Sequence, residues 1–129
     1  MDVAVIHDVM SKTQAGEMVF PQVVGALSEV GVESYFCDLV AGRETFYGTD
    51  GAAYTAPMLL PVAPVAEDFS GEGIVAAIHG AQADTIRYPE FVRQSRLAGV
   101  AAYWAFLTGR KVTYFGRKGE SHTERFPSI

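Results

Sequence analysis

The chain has 129 residues, the usual size of one domain, and its 49% hydrophobic and 19% charged residues are typical of soluble globular proteins. No apolar stretch approaches the roughly 18 residues of a membrane helix and no cleavable leader is recognisable, so we expect a cytoplasmic protein without a membrane partner. The net charge of −5 argues against nucleic acid as a partner. One cysteine excludes an internal disulfide.

The first part of the chain predicts two helices followed by three strands. Apolar residues at helical spacing predict a helix over about 2–14. Pro21 and Gly31 delimit a second helix, because proline is tolerated in a first helical turn and glycine suits the left-handed residue after the last turn. Strands separated by turns that contain glycine are then predicted at 32–40, 44–48 and 52–56.

The same order of elements returns after a proline-rich segment. Residues 57–69 contain three prolines and predict an irregular connection. Helices are then predicted over about 71–82 and between Pro89 and Gly99. Three further strands are predicted at 100–108, 112–116 and 121–126.

An internal repeat underlies this order. When residues 6–55 are laid over 74–123 without a gap, 13 of 50 positions are identical. The matches include the proline and glycine that delimit the second helix of each part. We therefore predict a duplicated α-α-β-β-β unit within a single domain, with repeats at about 1–56 and 70–126. The predicted fold is α+β, an antiparallel sheet with its helices packed mainly on one face.

Strand alternation assigns the strand residues to two faces of the sheet. Tyr35, Leu39, Tyr103 and Leu107 fit the face packed against helices. The other face carries aromatic side chains with nearby charges, and these are the candidate interface or ligand residues: Phe36, Asp38, Arg43, Tyr47, Trp104, Phe106 and Phe115.

Monomers rarely expose an aromatic patch of that size. The favoured interpretation is that segment 57–70 or a second subunit covers it. The alternative is a groove for a small molecule, with aromatic walls and Asp38 or Arg43 as polar anchors.

No residue pattern predicts catalysis, a metal or a cofactor. His7, His79 and His122 have no accompanying ligands at a recognisable spacing, and the first two are not equivalent in the repeat. Cys37 overlays Ala105, which predicts a small buried role. Basic residues cluster near aromatic ones at 110–118, as single-stranded nucleic acid requires, but the acidic total favours solvated turn charges.

Two features of the chain resemble a known family. One is the phrase "FP" or "YP", helix, "GV" and tyrosine, which occurs at 20–35 and again at 88–103; the other is the ending "ESHTERFPSI". The chain resembles a bacterial domain-of-unknown-function family often labelled "phage envelope protein" (YbcV-like). The resemblance implies a compact α+β fold, and it implies no catalytic residues.

The sequence therefore leaves three functional hypotheses. The first is a non-catalytic protein that binds a partner or itself, as a homodimer, through the aromatic face. The second is a small-molecule-binding domain that uses the same face. The third is an enzyme of unknown reaction.

Overall fold

The computed structural model describes residues 1–127, which form four helices and a six-stranded antiparallel sheet. The predicted α+β class is confirmed. The predicted strands at 32–40 and 100–108 end two residues early, because turns begin at Leu39 and Leu107. The elements in chain order are α1 (Val3–Gln14), α2 (Phe20–Glu29), β1 (Val32–Asp38), β2 (Arg43–Gly48), β3 (Ala53–Pro57), α3 (Gly71–Gln82), α4 (Tyr88–Leu97), β4 (Val100–Phe106), β5 (Lys111–Gly116) and β6 (Ser121–Arg125).

The strand order in the sheet is β3-β2-β1-β4-β5-β6. Each half of the chain contributes three consecutive strands, and one antiparallel ladder between β1 and β4 joins them. At the centre of this ladder Phe36 pairs with Trp104. These two residues occupy equivalent positions in the sequence repeat, so the sheet has an approximate two-fold relation about this pair.

The two halves share their pairing registers at a constant offset of 68 residues. Tyr35 pairs with Phe46 in one half, and Tyr103 pairs with Tyr114 in the other. The first ladder of each half also has an irregularity at the same place, between residues 32 and 34 and between 100 and 102.

Left-handed backbone positions follow the same offset. Within residues 1–127 the residues with positive φ form four pairs, two of which join a glycine to another residue type: Gly16 with Asp84, Gly31 with Gly99, Gly42 with Arg110, and Gly51 with Gly119. The backbone therefore turns in the same way in both halves. Duplication of an ancestral unit, which would account for this agreement, stays a prediction.

All four helices lie on one side of the sheet, where they enclose the hydrophobic core. The face predicted to pack against helices is buried: Tyr35, Tyr103 and Leu107 are each 5% exposed and Leu39 is 0% exposed. α2 contacts β1, α4 contacts β4, and the two helices of each half contact each other. The largest fully buried helix side chains are those of Ile6, Leu27, Ile74 and Val92.

Glycine ends the second helix of each half, as predicted. Gly31 and Gly99 have φ of +84° and +80°, which other residues adopt only with strain. Their surroundings differ. A Cβ atom at Gly99 would lie 2.2 Å from the carbonyl oxygen of Asp68, whereas one at Gly31 would have only Thr49 Oγ1 nearby, at 3.7 Å.

The connection from β3 to α3 is irregular, as its prolines predict, and its contacts lie on the helix side. Met58 is buried, and Gln14 Oε1 accepts hydrogen bonds from the backbone N–H groups of Leu59 and Leu60. The buried Arg96 donates to the carbonyl oxygen of Pro61 at 3.1 Å. The alternative that segment 57–70 covers the aromatic face is therefore wrong.

Among the described helices of residues 1–127, none has both the length and the apolar composition that a membrane crossing requires.

Candidate functional site

The outer face is the side of the sheet opposite the helices, formed by the outward residues of β2, β1, β4 and β5. Strand alternation places every predicted interface or ligand residue on it, with Arg43 exposed and the others half-buried: Phe36, Asp38, Arg43, Tyr47, Trp104, Phe106 and Phe115. None of its aromatic residues packs against the core cluster. The structure thus brings the predicted residues onto one surface.

Four of these aromatic side chains form a cluster around Trp104, which we call the aromatic stack. The ring centroid of Trp104 lies 5.6 Å from that of Tyr47 and 5.3 Å from that of Phe106, with interplanar angles of 30° and 20°. Phe36 meets Trp104 edge to face at 5.3 Å. Such geometry is favourable for aromatic pairs. Phe115 is separate, since its cross-strand neighbour is Ala102.

The indole N–H of Trp104 lies beneath its neighbours, and within residues 1–127 it has no hydrogen-bond acceptor. A buried donor left unpaired costs about 1–3 kcal/mol. The isolated chain therefore leaves one buried hydrogen-bond donor unpaired at the centre of the outer face.

The charged residues of the outer face are spread over its corners. Asp38 pairs across strands with Arg43 at one corner. The Asp38 carboxylate also accepts hydrogen bonds from Val40 N and Ala41 N at 2.9 Å, which fixes the β1–β2 turn. Lys111 lies at the diagonally opposite corner, with its Nζ 6.0 Å from the centroid of the Phe106 ring. The predicted anchors Asp38 and Arg43 are therefore not beside the same rings as Lys111.

A groove of about 580 Å³ runs beside Phe106 on this face. Its walls combine the rings of Trp104 and Phe106 with the Lys111 amine and the Glu33 carboxylate, and hydroxyl groups from Ser34, Thr108 and Thr113 complete the lining. The volume lies within the range of roughly 300–1,000 Å³ that small-ligand sites occupy.

A second group of residues with ionisable side chains lies inside the core, where the sequence analysis predicted no site. This core polar cluster consists of Tyr35 and Cys37 on β1, Glu44 on β2, Tyr88 on α4 and Tyr103 on β4. The Tyr88 and Tyr103 hydroxyl groups hydrogen-bond to each other at 2.7 Å. Cys37 Sγ lies 3.8 Å from the Tyr88 hydroxyl oxygen. Burial raises the pKa of each of these tyrosines above its usual value.

Glu44 is the one carboxyl group of this cluster. It is 6% exposed, and burial raises its pKa to about 7. Its hydrogen bond comes from Gln14 Nε2, at 3.4 Å. A carboxyl group in such surroundings changes its charge near neutral pH, which is uncommon for a residue without a functional or conformational role.

A small cavity of about 20 Å³ adjoins Glu44, Tyr35, Tyr88 and Tyr103. Thr13 also lines the cavity, and within residues 1–127 its buried hydroxyl oxygen has no hydrogen-bond partner. Apolar side chains form most of its lining, and its volume is large enough for one water molecule.

Cys37 is fully buried, as its overlay with Ala105 predicted. Burial raises the pKa of its thiol well above the usual value, and the Glu44 carboxyl group raises it further. A nucleophilic cysteine requires a lowered pKa and access to its substrate. Its surroundings therefore keep Cys37 as an unreactive thiol, packed 3.6 Å from the Met58 sulfur.

The histidines lie apart from one another. His7 hydrogen-bonds through Nε2 to the Tyr54 hydroxyl group, His122 lies 3.2 Å from the Glu124 carboxylate, and His79 is exposed on α3. In the described part of the chain, no three His, Cys, Asp or Glu side chains are grouped so that they could hold a metal ion.

The position of Glu44 could have been recognised from the sequence. Glu44 precedes Phe46 by two residues on β2, and Phe46 pairs with Tyr35, which the sequence assigns to the helix-packed face. Strand alternation therefore places Glu44 in the core as well. The contributions of Gln14, Tyr88 and Met58 carried no such signal, because they depend on how the helices and the connection pack.

A comparison with protein families places the chain in one of them. Residues 2–124 match the model of a family described as "Protein of unknown function (DUF1398)". The chain belongs to the DUF1398 family. A comparison with curated proteins gives no match. DUF1398 membership thus confirms that this is a domain of unknown function, and functional hypotheses have to rest on the outer face and the core polar cluster.

Proposed function

We propose that the protein is a non-catalytic self-association module, in which the outer faces of two copies stack to form a homodimer. One observation carries the proposal. All four helices lie on the opposite side of the sheet, so the aromatic stack has no cover from any part of residues 1–127.

Apolar burial supplies the driving force for this association. Tyr, Trp and Phe are enriched at the centres of protein interfaces, and they dominate binding energies there. In the stack they lie in mutual contact around Trp104. A second copy would remove their exposed edges from water and would leave the hydroxyl groups of Thr55 and Thr123 at the rim.

The approximate two-fold relation of the sheet favours a second copy as the partner. Homodimers with two-fold symmetry bury the same surface patch on both subunits. We consider two outer faces that stack on each other about a two-fold axis. This axis lies between the two sheets, runs parallel to β1 and β4, and is midway between these two strands. The register then lays Phe36 of one copy over Trp104 of the second, and Ser34 over Phe106. The small Ser34 side chain thereby leaves room for the Phe106 ring, as close packing requires.

The same arrangement brings no like charges together. Residues that pair across the strands form rows, and each row of one copy lies on the same row of the second copy in the opposite direction. Arg43 therefore lies over Phe115 of the second copy, and Lys111 lies over Tyr47. A cation placed over an aromatic ring is attracted to it. Asp38 falls over Ala102. The charge distribution of the outer face therefore does not oppose association.

The test is the mass of the protein in solution. We expect sedimentation velocity of the wild type to give twice the mass of one chain, and Trp104→Ala and Tyr47→Ala to shift the equilibrium at least tenfold towards monomer, since central aromatic residues each contribute about 1.4 kcal/mol or more. Trp104 is the only tryptophan, so its fluorescence should change on dilution with the same midpoint. Dilution of the Tyr47→Ala variant keeps this probe.

Leu97→Ala is the matched control, because Leu97 is 65% exposed on the helix side. It should sediment as the wild type does. A wild type that remains monomeric at all concentrations would overturn the proposal, and so would dissociation by Leu97→Ala to the same extent as by Trp104→Ala.

A small-molecule function is the second candidate, and the groove beside Phe106 favours it. Its aromatic walls and the Lys111 amine suit a flat compound with an anionic group. This candidate predicts a monomer whose melting temperature rises with such a compound, and whose response is lost in Lys111→Ala. The phage envelope label carried by the YbcV-like resemblance stays a prediction, to which neither candidate adds support.

A further inference from the structure

Glu44 is held in the core without a cation beside it. Its cross-strand neighbours are Cys37 and Ala56, both buried. Within residues 1–127 the carboxylate forms no ion pair. An ionised carboxylate in apolar surroundings is unstable unless it gains water or a partner.

The groups that face Glu44 are neutral. Tyr35 and Cys37 come from β1, Tyr103 from β4 and Tyr88 from α4, and all four have raised pKa values that keep them uncharged at neutral pH. The remaining residues that line the same cavity come from α1, α2 and β2, and none of them is ionisable: Val9, Met10, Thr13, Gln14, Val23, Leu27 and Phe46. Ionisation of Glu44 is therefore compensated by none of its neighbours.

Gln14 joins this carboxyl group to the start of the β3–α3 connection. Its Nε2 donates to Glu44 Oε1, and its Oε1 accepts from the N–H groups of Leu59 and Leu60. One residue earlier, Met58 covers Cys37. A movement of Glu44 and Gln14 towards water would thus release Met58–Leu60 and expose Cys37.

We propose that Glu44, Gln14 and Met58–Leu60 form a pH-sensitive latch, in which protonated Glu44 keeps the connection closed over the core and ionised Glu44 opens it. The cavity beside Glu44 already provides room for a first water molecule. The latch is independent of the outer face, which lies on the other side of the sheet.

The direction of the pH dependence follows from the raised pKa of Glu44. The closed state binds the proton more tightly than an open state in which the carboxyl group meets water. Closure is therefore most favoured below about pH 4.5, and it is weakened as the pH rises towards the folded pKa of about 7.

The reaction of Cys37 with a thiol reagent measures this opening, since Cys37 is the only cysteine and is fully buried. Thiol ionisation itself depends on pH, so the quantity compared is the ratio of the wild-type rate to that of Glu44→Gln. We expect this ratio to rise about tenfold between pH 6 and pH 8.5, as a carboxyl pKa that falls from 7 to 4.5 on opening requires. A ratio independent of pH would overturn the proposal.

A cysteine at position 105 separates local opening from unfolding. Ala105 is the repeat equivalent of Cys37 and is equally buried. In the Cys37→Ala and Ala105→Cys double variant, with and without Glu44→Gln, the corresponding ratio should stay within about twofold across this pH range, because the latch does not cover position 105. The same tenfold rise at both positions would indicate unfolding of the whole domain and would overturn the latch.

Discussion

The two halves of the molecule agree in their strand registers and turn positions and differ in their interiors. Helix ends, strand registers and left-handed positions agree at an offset of 68 residues. Yet the core-facing residues Cys37 and Glu44 of the first half correspond to Ala105 and Val112 of the second. The second half shows that small and aliphatic residues satisfy this fold. The buried carboxyl group is therefore particular to the first half.

The connection between the halves introduces a second difference. It crosses the helix side and pairs its backbone with Ala98 through Ser70, so its last residues lie against Gly99. Gly31 has no chain segment at that distance. Equivalent positions in the repeat thus tolerate substitution differently, and three experiments use such pairs.

The largest effect is expected from Gly99→Ala. Its new methyl group would meet the carbonyl oxygen of Asp68 at 2.2 Å, and φ is also left-handed. We expect a loss of about 3 kcal/mol or more in the free energy of unfolding, measured by urea denaturation. Gly31→Ala should cost only about 1 kcal/mol, the left-handed strain alone. Equal losses would show that the connection does not constrain Gly99.

Glu44→Val should have an intermediate effect that depends on pH. A carboxyl group whose pKa is raised from 4.5 to about 7 on folding loses stabilisation as the pH rises through this window. Removal of the carboxyl group should therefore make the protein about 2 kcal/mol more stable at pH 8, after allowance for the lost Gln14 hydrogen bond, and about 1 kcal/mol less stable at pH 4, where only that hydrogen bond is lost.

The reciprocal variant completes this comparison. Val112→Glu places a carboxyl group at the equivalent buried position and should destabilise the protein at pH 8 more than at pH 4. Thermal unfolding of both variants at the two pH values is the measurement. If Glu44→Val is destabilising at pH 8, the buried carboxyl group is better accommodated than its surroundings indicate.

The smallest effect is expected at the threonine pairs of the outer face. Thr45 and Thr55 share a hydrogen bond of 2.9 Å between their hydroxyl groups, and Thr113 and Thr123 share one of 3.0 Å. Thr45→Val and Thr113→Val should each cost about 0.5 kcal/mol in urea denaturation. A difference between them above about 0.5 kcal/mol would mean that the two halves of this face are not equivalent.

The sequence was sufficient to predict the order of the elements, because the residues that begin and end them act on the local backbone. Pro21, Pro89, Gly31 and Gly99 restrict the backbone directly, and strand alternation follows from one residue to the next. The assignment of Trp104 and Tyr47 to one face followed from the same alternation.

The core polar cluster was beyond such reasoning for the most part. It depends on Tyr88 from a helix and on Gln14, which contacts both Glu44 and the connection. These contacts join residues distant in the chain, and no spacing rule predicts them. Arg110 is a smaller example. It adopts a left-handed φ of +56° at the position equivalent to Gly42, although the neighbouring Gly109 is the residue type expected in that conformation.

The ladder between β1 and β4 has a consequence for how such a sheet could arise. Within residues 1–127 it is the only set of strand pairs that joins the halves, and its register centres on residues 36 and 104. A polypeptide of half this length could therefore assemble the same six strands from two separate molecules, with residue 36 facing its own counterpart across the dyad. Fusion of two such genes would then preserve every strand pairing. After fusion, the core residues of one half could be substituted without the same substitution in the other half.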